Sequence, residues 1–234
     1  MSSTPPALDL VKVRGLSFYT RPGSSDIKAI KEVVEKRAYA RKHFPLDGFQ
    51  WIDLGANIGA FTVLLAAQGA TVHAYEPDPD SFDLLKQNVT LNGLDHRVHL
   101  HQAAVVWDER TEVTLHVNGR KKNFWRNSIL KPWQGGSTVQ VPAVHVRDVL
   151  LPGADVKMDV EGAEMPLLEA LETRPGRRLV LEWSFDVDAS IPRFKAIVKK
   201  LQGWYSSVVY GRFDETRPTW PAEWFPPAKT IWCT

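Results

Sequence analysis

The nine residues Val156 to Glu164, VKMDVEGAE, bring three carboxylates, Asp159, Glu161 and Glu164, to the exit of a run that reads as a buried strand. An acid there must be solvated, paired or used, because a bare buried carboxylate is costly. Used acids do two kinds of work: one balances a neighbouring cation, and another removes the proton of a hydroxyl nucleophile. Asp159 ends the apolar run and is the first candidate. Glu161 shares its face if the strand continues that far. Glu164 falls in the first turn of the next helix, where any acid gains ~0.3–1 kcal/mol, so capping explains it. Gly162 permits a sharp turn among them. Glu182, in LVLEWSF, closes the next apolar run and is expected to reach the same pocket as an acceptor contact.

A second constellation is DLGANIGA, residues 53–60. A dinucleotide fingerprint aligned on Gly55 requires glycine where Asn57 and Ala60 stand, so what remains is Asp53-x-Gly55-x-Asn57-x-Gly59. Asparagine tolerates a left-handed backbone, and the turn can stay tight. Such a loop suits a small anchoring group, an amino-acid carboxylate at a helix N-terminus, better than a pyrophosphate. Glu76 ends the next strand, roughly twenty residues on, where a carboxylate accepts hydrogen bonds from ribose hydroxyls. Adenosine is common to NAD and S-adenosylmethionine (SAM); the glycine-poor loop favours SAM.

An α/β frame must position these groups. DLVKVRGLSFYTR (9–21) alternates as a hairpin, and SSDIKAIKEVVEKRAY (24–39) reads as a helix capped by Ser25 or Asp26, with Ile27, Ile30, Val33 and Val34 as its stripe. Strands at 49–55, 71–77 and 97–107 alternate with helices at 56–69 and 78–93, the rhythm of a parallel sheet. TEVTLHV (111–117) and STVQVPAVHV (137–146) then alternate as an inserted antiparallel pair with a long loop, of the kind that is usually functional. DVKMDV, a helix at 161–174 and RRLVLEWSF (177–185) resume the frame. A helix at 189–203 and strands at 204–212 and 228–234 complete it. The expected fold is α/β: one domain over 1–234 with a mostly parallel Rossmann-like sheet closed by a C-terminal antiparallel hairpin. Residues 1–45 form an N-terminal hairpin and helix, and 111–146 the insertion. A TIM barrel would need more βα units.

Composition narrows the partners. With 234 residues the chain can bury one good core. A net charge of +2 does not by itself indicate nucleic acid or membrane. Cys233, the only cysteine, excludes an internal disulfide and a cysteine-rich zinc site, which fits a reducing, cytoplasmic setting. No stretch approaches membrane-spanning length, so no membrane partner is expected. Of nine tryptophans, Trp204, Trp220, Trp224 and Trp232 cluster late and suggest a tightly packed C-terminal end.

The segment WIDLGANIGAFTVLLAAQGATVHAYEPDPDSFDLLKQNVTLNG (51–93) resembles the SAM-binding half of class I methyltransferases, and VKMDVEGAE resembles the signature stretch of the FkbM family. GSSDIKAIKEV, HQAAVVWDERTEVTLHV and RNSIL add to the likeness, which covers roughly residues 15 to 185. The resemblance implies a SAM-dependent methyltransferase that releases S-adenosylhomocysteine, with hydroxyls of sugars and natural products as common acceptors. It implies that Asp53, Gly55, Asn57 and Gly59 surround the methionine end of SAM, and that Glu76, followed by Pro77, holds the ribose. Gln102 and Ala103 would border the adenine, and Asp159 would lie near sulfonium and acceptor. The family pattern has two adjacent acids before the signature strand. Here HVRDVL puts Arg147 before Asp148, a departure expected to alter the acceptor site.

Catalysis is therefore assigned to Asp159, Glu161 and Glu182, on a small-molecule or carbohydrate acceptor. No third ligand accompanies the acids, and no metal is assigned. His99 and His101 share a face of a strand expected at the sheet edge, away from the acids; His145 could act as base if the inserted hairpin folds over the site. The loop at 119–133 interleaves Arg120, Lys121, Lys122, Arg126 and Lys131 with Phe124, Trp125 and Trp133. It is read as an acceptor-binding lid. The alternative is a nucleic-acid methyltransferase or binding protein, since basic and aromatic side chains also track and stack single strands.

Overall fold

Trp51 and Ile52 lie side by side in one strand, are both fully buried, and belong to different hydrophobic clusters. A strand buried on both faces is the mark of a sheet covered by helices on each side. In the computed structural model, which describes residues 7–119, 126–184, 187, 190–210 and 228–234, the chain runs as follows. The hairpin β1 (Asp9–Val13) and β2 (Leu16–Thr20) leads into α1 (Asp26–Ile30), continued by a π-helical turn at Lys31–Glu35. Then come β3 (Gln50–Leu54), α2 (Ala60–Ala67), β4 (Thr71–Tyr75), α3 (Pro79–Leu91) and β5 (Val98–His101). Strands β6 (Ala104–Val106), β7 (Glu112–Val117) and β8 (Ser137–His145) precede α4 (Val146–Val149). The frame resumes with β9 (Asp155–Met158), α5 (Glu164–Ala170), β10 (Leu179–Ser184), α6 (Ile191–Trp204), β11 (Val208–Tyr210) and β12 (Ala228–Cys233).

The main sheet has seven strands in the order β11-β12-β10-β9-β3-β4-β5. The strands from β10 to β5 pair in parallel, while β12 runs antiparallel to β10 and β11 to β12. This is the expected α/β sheet with its C-terminal antiparallel hairpin. The chain moves outward from β3 through β5 and then returns to β9, so the strand order reverses between β3 and β9. Ligands of open α/β sheets sit beyond the strand ends at such a reversal.

One cluster, on the α2 and α3 side, takes in Val13 and Phe18 from the hairpin and Ile30 and Val34 from the following helix. The other packs Leu167, Leu168, Ile197 and Leu201 against β9 and β10.

Three local expectations change. The run 97–107 is two strands, because Ala103 N–H turns back to the His101 carbonyl (3.1 Å) and β6 leaves the main sheet to pair with β8. The helix at 24–39 shifts to π register after Ile30, Lys36 N–H reaching the Lys31 carbonyl (2.9 Å). Of the expected stripe, Ile27 is exposed while Ile30 and Val34 are buried. Ser25 is the N-cap by position without a side-chain cap bond, and the Asp26 carboxylate instead takes Arg21. At the C-terminal end Trp232 is buried, with its indole N–H on the Tyr39 carbonyl (2.9 Å); Trp220 and Trp224 lie outside the described residues.

Candidate active site

The turns that follow β3 and β9 touch. Asp159 N–H donates to the Leu54 carbonyl (3.0 Å), and a Cβ on Gly55 would stand 1.8 Å from the Asp159 carbonyl oxygen. Only glycine admits this approach, and its φ of +78° adds a second reason. Asn57 (φ +51°) and Gly59 (φ +90°) complete the bend, with Gly59 as the N-cap of α2. The tight turn read from Gly55-x-Asn57-x-Gly59 is present.

Beyond it lies a cleft with about 580 Å³ of open space, lined by Gly55, Asn57, Glu76, Pro77, Ala103 and Asp159 among others. Glu76 is buried at its rim: Oε2 accepts from Asn57 N–H (2.7 Å) and Oε1 from Asp78 N–H (2.9 Å). Burial, then repulsion from Asp78, pushes its carboxyl up to about 7. Each oxygen keeps acceptor capacity for a further donor. Val105, Leu115, Ile129 and Ala163 give the cleft apolar walls, and the Asn57 Oδ1 is buried without a partner among the described residues. Glu161 stands at the end shared with Asp159. These groups fit an adenosyl sulfonium, with acceptors for a diol, an apolar slot for a base and carboxylates for a positive sulfur. Gln102 is exposed and does not line the cleft, whereas its neighbour Ala103 does.

Asp53 is placed differently from its expected contact with the methionine end. It is fully buried beneath the turn, outside the cleft lining, where Oδ2 accepts from the Thr62 hydroxyl (2.6 Å) and Oδ1 lies 3.1 Å from Lys157 Nζ. Lys157 is itself buried in the middle of β9. Its ammonium donates to the Gly55 carbonyl (2.7 Å) and lies 3.8 Å from Asp159 Oδ2. Burial opposes that charge, but Asp53 and then Asp159 outweigh it and raise the pKa. The Tyr39 hydroxyl donates to the same Asp159 Oδ2 (2.8 Å), leaving Oδ1 without a partner among the described residues.

The three acids of the signature stretch divide. Strand β9 ends at Met158, so alternation does not place Glu161; a left-handed backbone (φ +51°) swings it onto the site. Burial, then Asp159, holds its carboxyl well above the usual range, and Arg126 stands 4.0 Å away. Glu164 folds back on the turn, accepting from Val160 N–H (2.9 Å) and Gly162 N–H (3.0 Å), and burial pushes it up to about 8. It fastens the loop that precedes α5 and does not cap the helix, whose N-cap position, Ala163, has no side-chain cap bond.

A second cavity, with about 740 Å³ of open space, adjoins the first and is lined by Glu32, Tyr39, Phe61, Lys157 and Glu182 among others. Asn57, Asp159 and Glu161 line both. Glu182 belongs to the second alone, and burial, then Asp159, pushes it up to about 8. Sequence reading missed Glu32, Tyr39 and Lys157. The signal for Lys157 was a lysine between the apolar Val156 and Met158 of a buried strand; for the other two there was none, since a π-helical turn presents Glu32 and the turn that follows it presents Tyr39.

The remaining candidates lie elsewhere. His99 and His101 sit on β5 at the sheet edge, stacked with His73 and Tyr75. His145 is not over the site: its Nδ1 caps α4 by accepting from Arg147 N–H (3.0 Å). Arg147 pairs with Glu109 (2.6 Å) on the surface, and neither it nor Asp148 lines the acid-rich cavity. In the inserted loop, the Ser128 hydroxyl donates to the Glu161 carbonyl (2.7 Å), and Asn127 and Ile129 line the first cleft. The described part of the expected lid thus lines the first cleft and not the acid-rich cavity. Arg126 and Lys131 lie over the Trp133 ring; Arg120, Lys121, Lys122, Phe124 and Trp125 lie outside the described residues. No helix of the described residues is long and apolar enough to cross a membrane.

Comparison with known proteins gives the arrangement a family. Residues 53–204 match the model of the methyltransferase FkbM domain. Methyltransferase 1 of Beauveria bassiana (strain ARSEF 2860) is 29% identical over 181 residues, covering 67% of this chain and 72% of that protein. A tRNA wybutosine-synthesizing protein 2 homolog of Danio rerio is 41% identical over 61 residues, 25% of this chain and 15% of that protein. A solved structure, the tRNA (uracil-54, C5)-methyltransferase of Pyrococcus abyssi in complex with S-adenosyl-L-homocysteine, aligns with a TM-score of 0.47 at 12% identity, covering 97% of this chain and 43% of that one. The chain therefore spans less than half of that structure. With the family model matching well over half of its residues, this chain belongs to the FkbM methyltransferase family and is a SAM-dependent methyltransferase.

Proposed function

We propose that the protein methylates a hydroxyl of a sugar or glycosylated small molecule, with the first cleft as the SAM site and the second as the acceptor site. One observation carries this reading: the two cavities meet at Asn57, Asp159 and Glu161, so a donor in one and an acceptor in the other face each other across these side chains. SAM, held by Glu76, Pro77, Ala103 and the turn at Gly55 and Asn57, supplies an electrophilic methyl group on a positive sulfur. Asp53 and Gly59 support that turn from below and behind. Glu161 balances positive charge at the junction. Asp159, oriented through Oδ2 by Tyr39 and Lys157, accepts the hydroxyl proton at Oδ1. Glu182 contacts the acceptor. Confinement of both partners supports in-line attack, where orientation alone supplies ~7–11 kcal/mol in well-arranged intramolecular reactions.

The test is methyl transfer from labelled SAM to a panel of sugars, nucleosides and small RNAs. Sugar hydroxyls should be methylated, and Asp159→Asn should cut turnover by ~10²–10⁴ while SAM still binds. Near-normal turnover in that variant would move the base elsewhere. The nucleic-acid alternative is supported by the short stretch shared with the Danio rerio homolog and opposed by the acids of the acceptor cavity, which repel phosphate. RNA methylation that weakens steeply with salt would favour it.

A further inference from the structure

Acids outnumber cations in the lining of the acceptor cavity. Among the described residues lining it, the carboxylates are Glu32, Asp159, Glu161 and Glu182, and the cation is Lys157. That ammonium is already committed to the Gly55 carbonyl, Asp53 and Asp159. Asp159 also has the Tyr39 hydroxyl, and Glu161 has Arg126 at 4.0 Å. Glu32 and Glu182 differ: among the described residues, neither carboxylate has a hydrogen-bond donor or an ion-pair partner.

These two come from unrelated elements. Glu32 lies in the π-helical turn at Lys31–Glu35, and Glu182 in β10. They are close enough that Glu32 is among the charges acting on Glu182. Single π turns recur at functional sites, where they re-aim a side chain. Two half-buried acids turned toward one space, with Lys157 the cation among the described residues that acts on Glu182 and no ion pair to either, stay mutually repulsive unless Glu182 keeps its proton or a ligand supplies positive charge. A phosphorylated or carboxylated acceptor would add a third anion. A neutral polyol would leave the pair uncompensated. A ligand carrying an ammonium group resolves the repulsion, and the edge-to-face rings of Tyr39 and Phe61 (5.3 Å) line the same cavity with aromatic surface.

Resting on the hydroxyl-methylation reading above, we infer that Glu32 and Glu182 form an ammonium subsite, and that the natural acceptor is an aminated, polyhydroxylated compound of the amino-sugar class. Its hydroxyl meets Asp159 and its ammonium meets Glu32 and Glu182. The O–H proton passes to Asp159 as the oxygen takes the methyl group; the S–CH3 bond of SAM breaks with its electron pair left on sulfur, giving neutral S-adenosylhomocysteine, and the ammonium is bound without reacting.

The experiment uses paired acceptors that differ in one group: methyl pyranosides with a hydroxyl, an ammonium or a phosphate at the same position, and spermidine as an amine without hydroxyls. The ammonium member should exceed its neutral partner in kcat/KM by about tenfold or more, as expected for hydrogen bonds to a charged group, and the phosphate should be the poorest. Glu32→Gln should erase most of that preference. SAM affinity, read at the other cleft, reports that the variant is folded. Equal kcat/KM for neutral and ammonium sugars, or a preference untouched by Glu32→Gln, overturns the subsite and leaves hydroxyl methylation standing. Methylation of spermidine but of no sugar keeps the subsite and removes the hydroxyl reading. Methylation of neither, with SAM bound, overturns both.

Discussion

Tyr39 Oη and Asp159 Oδ2 lie 2.8 Å apart across a sequence separation of 120 residues, joining the N-terminal helical segment to the turn after β9. The bond crosses from a part of the chain outside the matched family domain to the centre of it. Tyr39 is buried, and burial, then Asp159, keeps its phenol protonated far above neutral pH, so it donates throughout the physiological range.

Tyr39→Phe tests what that bond does. Phenylalanine keeps the edge-to-face contact with Phe61 and removes only the donor. Asp159 then loses an orienting partner, and misplacement of a reacting group can cost up to ~10²-fold. The expected result is a fall in kcat of roughly ten- to a hundredfold, with SAM affinity changed less than about threefold and a stability loss near ~1 kcal/mol. Stopped-flow transfer and calorimetry read these separately. An unchanged kcat with the same stability loss would make the bond purely structural.

Lys157→Met examines the charge beneath the turn. Asp53 is fully buried and relies on Lys157 at 3.1 Å, so removing the lysine strands a carboxylate in the core. Breaking one side of a buried pair costs ~3–5 kcal/mol. Chemical denaturation should show a loss of that order, and the double variant Lys157→Met, Asp53→Asn should recover a large part of it. Additive losses in the double variant would show that the two side chains are not coupled.

Much of this frame was written in local pattern. Short apolar runs alternating with amphipathic helices dictated the parallel sheet, and Asp159 and Glu76 were legible as acids ending buried strands. Where contacts depend on non-local geometry, legibility failed. Asp53 sits in the same motif as Gly55, yet Lys157, met only when β9 pairs beside β3, draws it under the turn and away from the cleft. Tyr39 and Glu32 belong to a run that reads as ordinary helix; a change to π register, invisible to a period of 3.6, sets Glu32 in the cavity lining, and the helix then ends before Tyr39, which reaches the acids from a turn. Residues 97–107 read as one strand because no glycine or proline interrupts them, and the break at Gln102 and Ala103 comes from β6 pairing with the inserted β8.

Two glycines with similar backbone angles should respond oppositely to alanine. At Gly55 (φ +78°) an added methyl group would stand 1.8 Å from the Asp159 carbonyl oxygen, inside the contact between the two turns that form the site. At Gly69 (φ +97°) it would meet nothing within 4 Å. Gly69→Ala should cost only the left-handed strain, ~1–2 kcal/mol. Gly55→Ala must push the two turns apart, so SAM binding should fall below detection even where far-ultraviolet circular dichroism shows the fold retained. SAM binding within about threefold of wild type in Gly55→Ala would mean that the turns move freely.

The raised carboxyls give a pH dependence with a definite sign. Glu164 and Glu182 are pushed up to about 8 from an ordinary 4.5, and Glu161 is also raised. Between those values the folded state holds protons that the unfolded state has released, so the stabilisation is complete below pH 4.5 and drains away as pH rises through about 8. Thermal unfolding of the cofactor-free protein should therefore shift downward from about pH 6 to about pH 8.5, and Glu182→Gln should flatten part of the slope. The same ionisation sharpens selection for a cation. SAM carries a positive sulfur and S-adenosylhomocysteine a neutral one, so the ratio of their dissociation constants isolates the charge. As these raised carboxyls release their protons with rising pH, that ratio should move in favour of SAM by about tenfold. Calorimetric titration of both ligands at each pH provides the measurement. A ratio that stays flat would mean that none of these carboxylates faces the sulfur, and the balancing role of Glu161 would fall.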